Sequence, residues 1–351
     1  MFASFGFESL TAAQASVVLG LILGLAFGAL AEVTRFCLRR AVAGERSERR
    51  TAAGVWLAAL AAALVGTQVA VASGFIGFDE HRFMNAELPW LAIVGGGAMF
   101  GAGMILTRGC VSRMTVLLAS GNLRALTVLL VFAVTAHATL KGTFASVRTA
   151  IGSVTLPLGE ATSLAALPGG ALFWSGLLAI AAAIFAVRSG VRPLHLGLAA
   201  LLGLLVPAGW VGTGFLLYDD FDPIAFESLS FTSPTTEALF WSIASTSIPA
   251  GFGVGLLGGV ILGAGALALA SGRFTWQSFE SPAQTGRYVA GAALMGVGGV
   301  LAGGCTVGAG LAGVPTLSVA ALLALLSIVG GALLADRALN RTPQAAGVPA
   351  E

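Results

Sequence analysis

The chain has 351 residues, 57% of them hydrophobic and only 10% charged, with a net charge of +2 and a mean hydropathy of +0.92. Soluble domains carry about a quarter charged residues, so this composition excludes an ordinary soluble enzyme, and its near-neutral balance gives no basic surface for nucleic acid. The three cysteines are an odd count without CxxC or CxxH spacing, which argues against a disulfide framework and a zinc site.

In chain order, apolar segments fall near 14–33, 53–74, 91–107, 111–119, 124–140, 171–187, 194–217, 238–249, 251–271, 286–303, 305–313 and 317–335. Crossing a hydrocarbon core of about 30 Å takes roughly 17–25 apolar residues. The longer segments therefore read as membrane helices, and residues 1–351 as one all-α polytopic integral membrane domain. Near the first segment, "ALAEV" (29–33) imitates a signal-peptidase site. The region before it carries Glu8 and no base, so the segment reads as a retained helix with its N-terminus outside. Residues 34–52 then hold six arginines, and residues 219–237 hold five acids and no base. Short basic loops stay in the cytoplasm. The first stretch is expected inside, the acidic one outside, and the C-terminus in the cytoplasm.

Two short pairs, 91–107 with 111–119 and 286–303 with 305–313, are each interrupted at a cysteine. Interrupted hydrophobic segments at matching places in two halves point to a transport site. Glycines stand 1, 7, 9 and 14 positions before Cys110 (Gly109, Gly103, Gly101, Gly96), and the same offsets before Cys305 hold Gly304, Gly298, Gly296 and Gly291. A further echo joins Gly20, Gly24 and Gly28, followed by "RFC" ending at Cys37, to Gly255, Gly259 and Gly263, followed by "RFT" ending at Thr275. The expectation is two pseudo-symmetric, inverted repeats, near 14–140 and 238–335, joined by membrane segments in 141–237. On this reading Thr275 is the counterpart of Cys37, and 53–74 is an extra segment of the first half.

Broken helices suit an anion, because the freed N–H groups and the dipole at a half-helix N-terminus both favour negative charge. A neutral thiol adds a weak S–H donor, and weak binding lets a solute leave as well as arrive. Cys37, Cys110 and Cys305 are the candidate pathway residues, supported by Gly109, Gly303, Gly304 and Thr306. Arg108 and Arg113 flank Cys110, either drawing in a dianion or snorkelling at helix ends. Glu32 is expected at the interface beside Arg35 or Arg39, and His137 as a packing residue. There is no P-loop, so the chain itself uses no ATP, and neither cofactor nor metal is expected.

Together, "GGCTVGAGLAG" (303–313), the Gly-rich run ending "RGC" at Cys110, and "RFC" at Cys37 resemble the YeeE/YedE family of bacterial sulfur transporters over nearly the whole chain. The resemblance implies thiosulfate uptake across the inner membrane, an hourglass-like fold whose short inserted helices meet mid-membrane, and a hand-over through thiol contacts. Carried over by motif, Cys110 is the outer contact, Cys305 the central one and Cys37 the cytoplasmic exit. A small cytoplasmic TusA-like sulfur carrier is the implied partner. Second-half members can show "GHGL" where this chain has "GAGL" (308–311), so a related sulfur or selenium species stays open as substrate. A membrane sulfurtransferase that forms a cysteine persulfide is the alternative from another class.

Overall fold

The computed structural model describes residues 11–219 and 222–341. Glu8, Asp220 and both chain ends, on which some of the expectations above rest, lie outside them. Thirteen α-helices are described: α1 (Ala12–Thr34), α2 (Leu38–Ala43), α3 (Arg46–Ala72), α4 (Trp90–Leu106), α5 (Val111–Ala119), α6 (Leu123–Leu140), α7 (Ala145–Gly152), α8 (Gly170–Arg188), α9 (Pro193–Val211), α10 (Thr232–Ala244), α11 (Phe252–Ala270), α12 (Pro282–Leu301) and α13 (Val319–Arg341). A π-helical segment, Thr306–Gly313, follows α12. Among the described residues the sheet content is one antiparallel pair of two-residue strands, β1 (Glu87–Leu88) and β2 (Leu156–Pro157). Among the described residues, nine helical stretches are long and apolar enough to cross a membrane, and the chain is a multi-pass membrane protein.

Local chemistry sets many of the boundaries. Thr11 and Gln14 form a reciprocal capping box at the start of α1, which satisfies two orphan N–H groups at once. Asn122 caps α6 by accepting from the N–H groups of Arg124 and Ala125. Pro193 and Pro282 open α9 and α12, where a missing N–H costs nothing.

Glycine faces fix the packing. Gly20, Gly24 and Gly28 of α1 lie against the backbone of Phe252, Leu256 and Val260, in that order, while Gly255, Gly259 and Gly263 lie against Val17, Leu21 and Leu25. Both series ascend together, so α1 and α11 run parallel with their backbones in contact, as small residues allow in lipid. The α4–α12 pair does the opposite. Gly96 abuts Gly298 and Gly103 abuts Gly291, so the helices cross antiparallel and each contact is the reciprocal of the other.

These directions correct one expectation. A single two-fold axis cannot relate one helix pair that runs parallel and another that runs antiparallel. If α4 corresponds to α12, then α1 does not correspond to α11, and Thr275 is not the counterpart of Cys37. The shared GxxxGxxxG spacing marks two faces that touch each other.

Candidate functional site

Each cysteine sits at a break of the same build. Two residues before it the backbone turns left-handed, at Arg35 (φ 52°), Arg108 (φ 58°) and Gly303 (φ 74°). The cysteine itself is extended and starts a short helical segment: Cys37 before α2, Cys110 before α5, Cys305 before the π-helical stretch. The left-handed residue ends one helix and lets the next begin on a new axis. Gly303 adopts this conformation freely, whereas the two arginines hold it at a steric cost.

The three breaks converge. Cys37 and Cys110 share a side-chain hydrogen bond, and Cys110 also reaches the side chain of Thr306. Cys110 Sγ lies 3.2 Å from Ser112 Oγ. Cys305 Sγ accepts from the Gly308 N–H at 3.4 Å, and the Phe231 backbone N–H also points at it. Cys110 is thus in contact with Cys37 and with Thr306, the residue that follows Cys305. Exposures of 3% for Cys37, 1% for Cys110 and 0% for Cys305 make this a closed plug of thiols.

A cavity lies toward each end of the plug. The larger, about 830 Å³, is lined by Arg82, Trp210, Glu227, Ser230 and Glu237 and reaches Gly308 and Ala312 on the π-helical segment beside Cys305. An aromatic cluster walls it: Phe78 meets Trp210 edge-on at 5.2 Å and stacks on Phe226 at 5.4 Å. Here the chain buries charge unevenly. Burial, followed by repulsion from Glu237, pushes the Glu227 carboxyl up to about 7, with Arg82 offsetting part of the rise. Burial and the neighbouring Arg82 push His81 down to about 4, so it is neutral at physiological pH.

The smaller cavity, about 310 Å³, is lined by Glu32, Arg35, Arg40, Arg113, Arg273 and Thr275 among others. It gathers the C-terminal ends of α1 and α11. The larger cavity is at the opposite end of the bundle, where Gly212, just after α9, packs on Leu19 near the start of α1. Glu32 bridges Arg113 and Arg273, each at 3.6 Å, in place of the expected Arg35 or Arg39. Both partners are far away in sequence, and proximity along the chain misled the expectation.

The remaining candidates are distributed as follows. Gly109 and Gly304 are close-packed, since a Cβ on Gly304 would meet the Ala309 nitrogen at 2.8 Å. Arg113 stands between the thiols and the small cavity, and one of its Nη atoms is buried without a hydrogen-bond partner. Arg108 is exposed and lies near Arg287 and Arg39, outside the small cavity's lining. Thr275 is in that cavity, away from the cysteines. His137 stacks on Phe240 at 3.7 Å. Arg82 and Glu227 escaped the sequence reading; the acidic run 219–237 was the available signal, but it reads simply as an exposed loop.

The profile of a family described as Sulphur transport matches residues 33–334. The chain belongs to that family. It is also similar to a thiosulfate transporter, TsuA, of Spirochaeta thermophila, at 26% identity over 296 residues, covering 73% of this chain and 81% of the relative. A role in sulfur transport follows from the membership, and the match to the family spans all three cysteine breaks of this sulfur-transport protein.

Proposed function

We propose that the protein takes up thiosulfate across the bacterial cytoplasmic membrane, from the large cavity, past Cys305, Cys110 and Cys37 in turn, to the small cavity. The observation that carries this reading is the convergence of three buried thiols, each at the start of a short helical segment, between two cavities at opposite ends of the bundle. A sulfur dianion leaving water would find N–H groups, S–H groups and the hydroxyls of Ser112 and Thr306 in place of its hydration. Each is a weak donor, so none holds it for long.

Direction follows from charge. Arg35 and Arg40 line the small cavity and belong to the arginine-rich stretch 34–52, which the positive-inside rule places in the cytoplasm. The large cavity then opens outside, with the N-terminus outside and the C-terminus inside. A small TusA-like carrier would collect the product at the arginine-lined mouth.

The inverted-repeat architecture is part of the proposal, with changed boundaries. Residues 12–140 pair with 193–341, so that α3 corresponds to α11, α1 to α9, α2 to α10 and α6 to α13. Several contacts then occur twice: α3 with α9 and α11 with α1, α2 with α3 and α10 with α11, α4 with α13 and α12 with α6. Gly203 on Ala59 and Gly66 near Pro207 give α3 and α9 the same parallel sense as α1 and α11. On this pairing 53–74 is no extra segment, and Phe231, at the start of α10, is the counterpart of Cys37.

The test is labelled thiosulfate uptake in cells without other thiosulfate transporters, comparing wild type with Cys110→Ala and Cys305→Ala at matched expression. Loss of uptake in both variants, with all three thiols of the wild type still free by mass spectrometry after turnover, is expected. Full uptake by both variants refutes the thiol path. A competent adduct one sulfur atom heavier makes the protein a sulfurtransferase instead.

A further inference from the structure

The large cavity poses an electrostatic problem for its proposed cargo. Among the described residues its charged lining comprises Asp79, Glu80, Glu227 and Glu237 against a single guanidinium, Arg82. With every carboxyl ionised, that lining would repel a dianion. Yet Arg82 is placed to receive one. Its side chain is exposed to the cavity, lies over the Phe83 ring at 5.1 Å, and has no carboxylate within salt-bridge distance among the described residues. It is close enough to Cys305 to interact with it electrostatically. The Trp210 indole N–H, on the same wall, is buried and has no hydrogen-bond partner. These are one fixed cation, one free donor and an apolar wall, arranged at the plug.

We infer that Arg82 is the capture point for the incoming sulfur oxyanion, and that Glu227 governs capture, the dianion occupying Arg82 together with a proton on the Glu227 carboxyl. The proton comes from solvent and converts the carboxylate to a neutral acid, which lowers the negative charge facing Arg82 by one. This inference rests on the transport reading for the identity of the ligand.

The groups facing Glu227 are Arg82 and His81 from the segment after α3, Asp79 and Glu80 at its rim, Tyr218 from the segment after α9, and Glu237 from α10, the last with Lys141 near it. His81 stays neutral from mildly acid to mildly alkaline pH. Glu227 titrates near 7, in the middle of that window. Its ionised form adds repulsion and competes for Arg82. The sign is then fixed: capture strengthens as pH falls through 7 and weakens as pH rises. If only the protonated form admits the dianion, binding should be roughly tenfold weaker at pH 8 than at pH 6, the ratio set by the fraction of competent protein.

The experiment is calorimetric binding of thiosulfate to the purified full chain in detergent at pH 6 and pH 8, for wild type, Glu227→Gln, Arg82→Gln and Arg82→Lys. Thermal unfolding without ligand checks that each variant is folded. We expect the roughly tenfold pH effect in wild type, an equal affinity at both pH values in Glu227→Gln, loss of binding in Arg82→Gln, and partial rescue in Arg82→Lys. Titration of the thiols would leave the pH effect intact in Glu227→Gln, so that outcome overturns the inference. So does wild-type affinity in Arg82→Gln, or the absence of thiosulfate binding by wild type. A protein that binds as expected but imports nothing keeps this site and defeats the transport reading. Thiosulfate import without these dependences does the reverse.

Discussion

Two neighbouring glycines on α11 allow the packing argument to be tested almost without confounding. A Cβ on Gly258 would meet nothing within 4 Å, whereas a Cβ on Gly259 would overlap the Leu21 carbonyl oxygen and come within 2.8 Å of the Leu25 nitrogen and 3.0 Å of Gly24 Cα. Both positions are helical, so alanine gives each the same gain of about 1 kcal/mol in intrinsic propensity. Only Gly259→Ala must push α1 away. Forcing one methyl into a close-packed interface costs about 1–3 kcal/mol, because even a gap of about 0.5–1 Å forfeits a quarter to a half of each dispersion contact it opens. Since the obstruction is backbone on a facing helix, no rotamer change relieves it. The propensity gain cancels between them, so the two variants should differ by roughly 1–3 kcal/mol, with Gly258→Ala at or above wild type. A thiol-reactive fluorogenic dye provides the assay, since all three cysteines are buried and react on unfolding. Equal unfolding midpoints, or a more stable Gly259→Ala, would refute the reading that α1 and α11 are held by backbone contact.

Two further predictions concern the site itself. Gly303→Ala meets no neighbour but forces alanine to φ 74°; it should cost about 1 kcal/mol and lower uptake by re-aiming Cys305, and unchanged transport would show that the break tolerates another backbone. Glu32→Gln removes the carboxylate between Arg113 and Arg273. Stability should fall by about 1 kcal/mol at low salt and by less at high salt, a difference that paired unfolding curves would reveal and whose absence would make the bridge energetically idle.

Much of this fold could be read from hydrophobic length alone. The run 14–33 became α1, and the interruptions at Cys110 and Cys305 were real because glycine spacing and apolar length changed together there. The α1–α11 echo misled for a physical reason. Two helices whose backbones touch both need small residues every fourth position, so contact and kinship leave the same pattern. The contact of Cys110 with Cys37 and Thr306 was not legible, because it depends on where α5 and the π-helical segment meet in space. Neither were the partners of Glu32, nor the shared cavity of Arg82 and Glu227, which stand 145 positions apart in number and line one wall only when the segments after α3 and α9 close around it. Local pattern marks where a helix stops, and only the packed bundle tells what faces it.

The reciprocal crossing of α4 and α12 has a mechanical consequence. Gly96 against Gly298 and Gly103 against Gly291 bring into close contact the backbones of the helices that carry the breaks before Cys110 and Cys305. These two thiols are thus mounted on one stiff joint and would keep their spacing while softer parts yield. Cargo size would then be limited by the frame, as a gauge limits what runs between two rails, and the softness of sulfur would select only among solutes already small enough to fit.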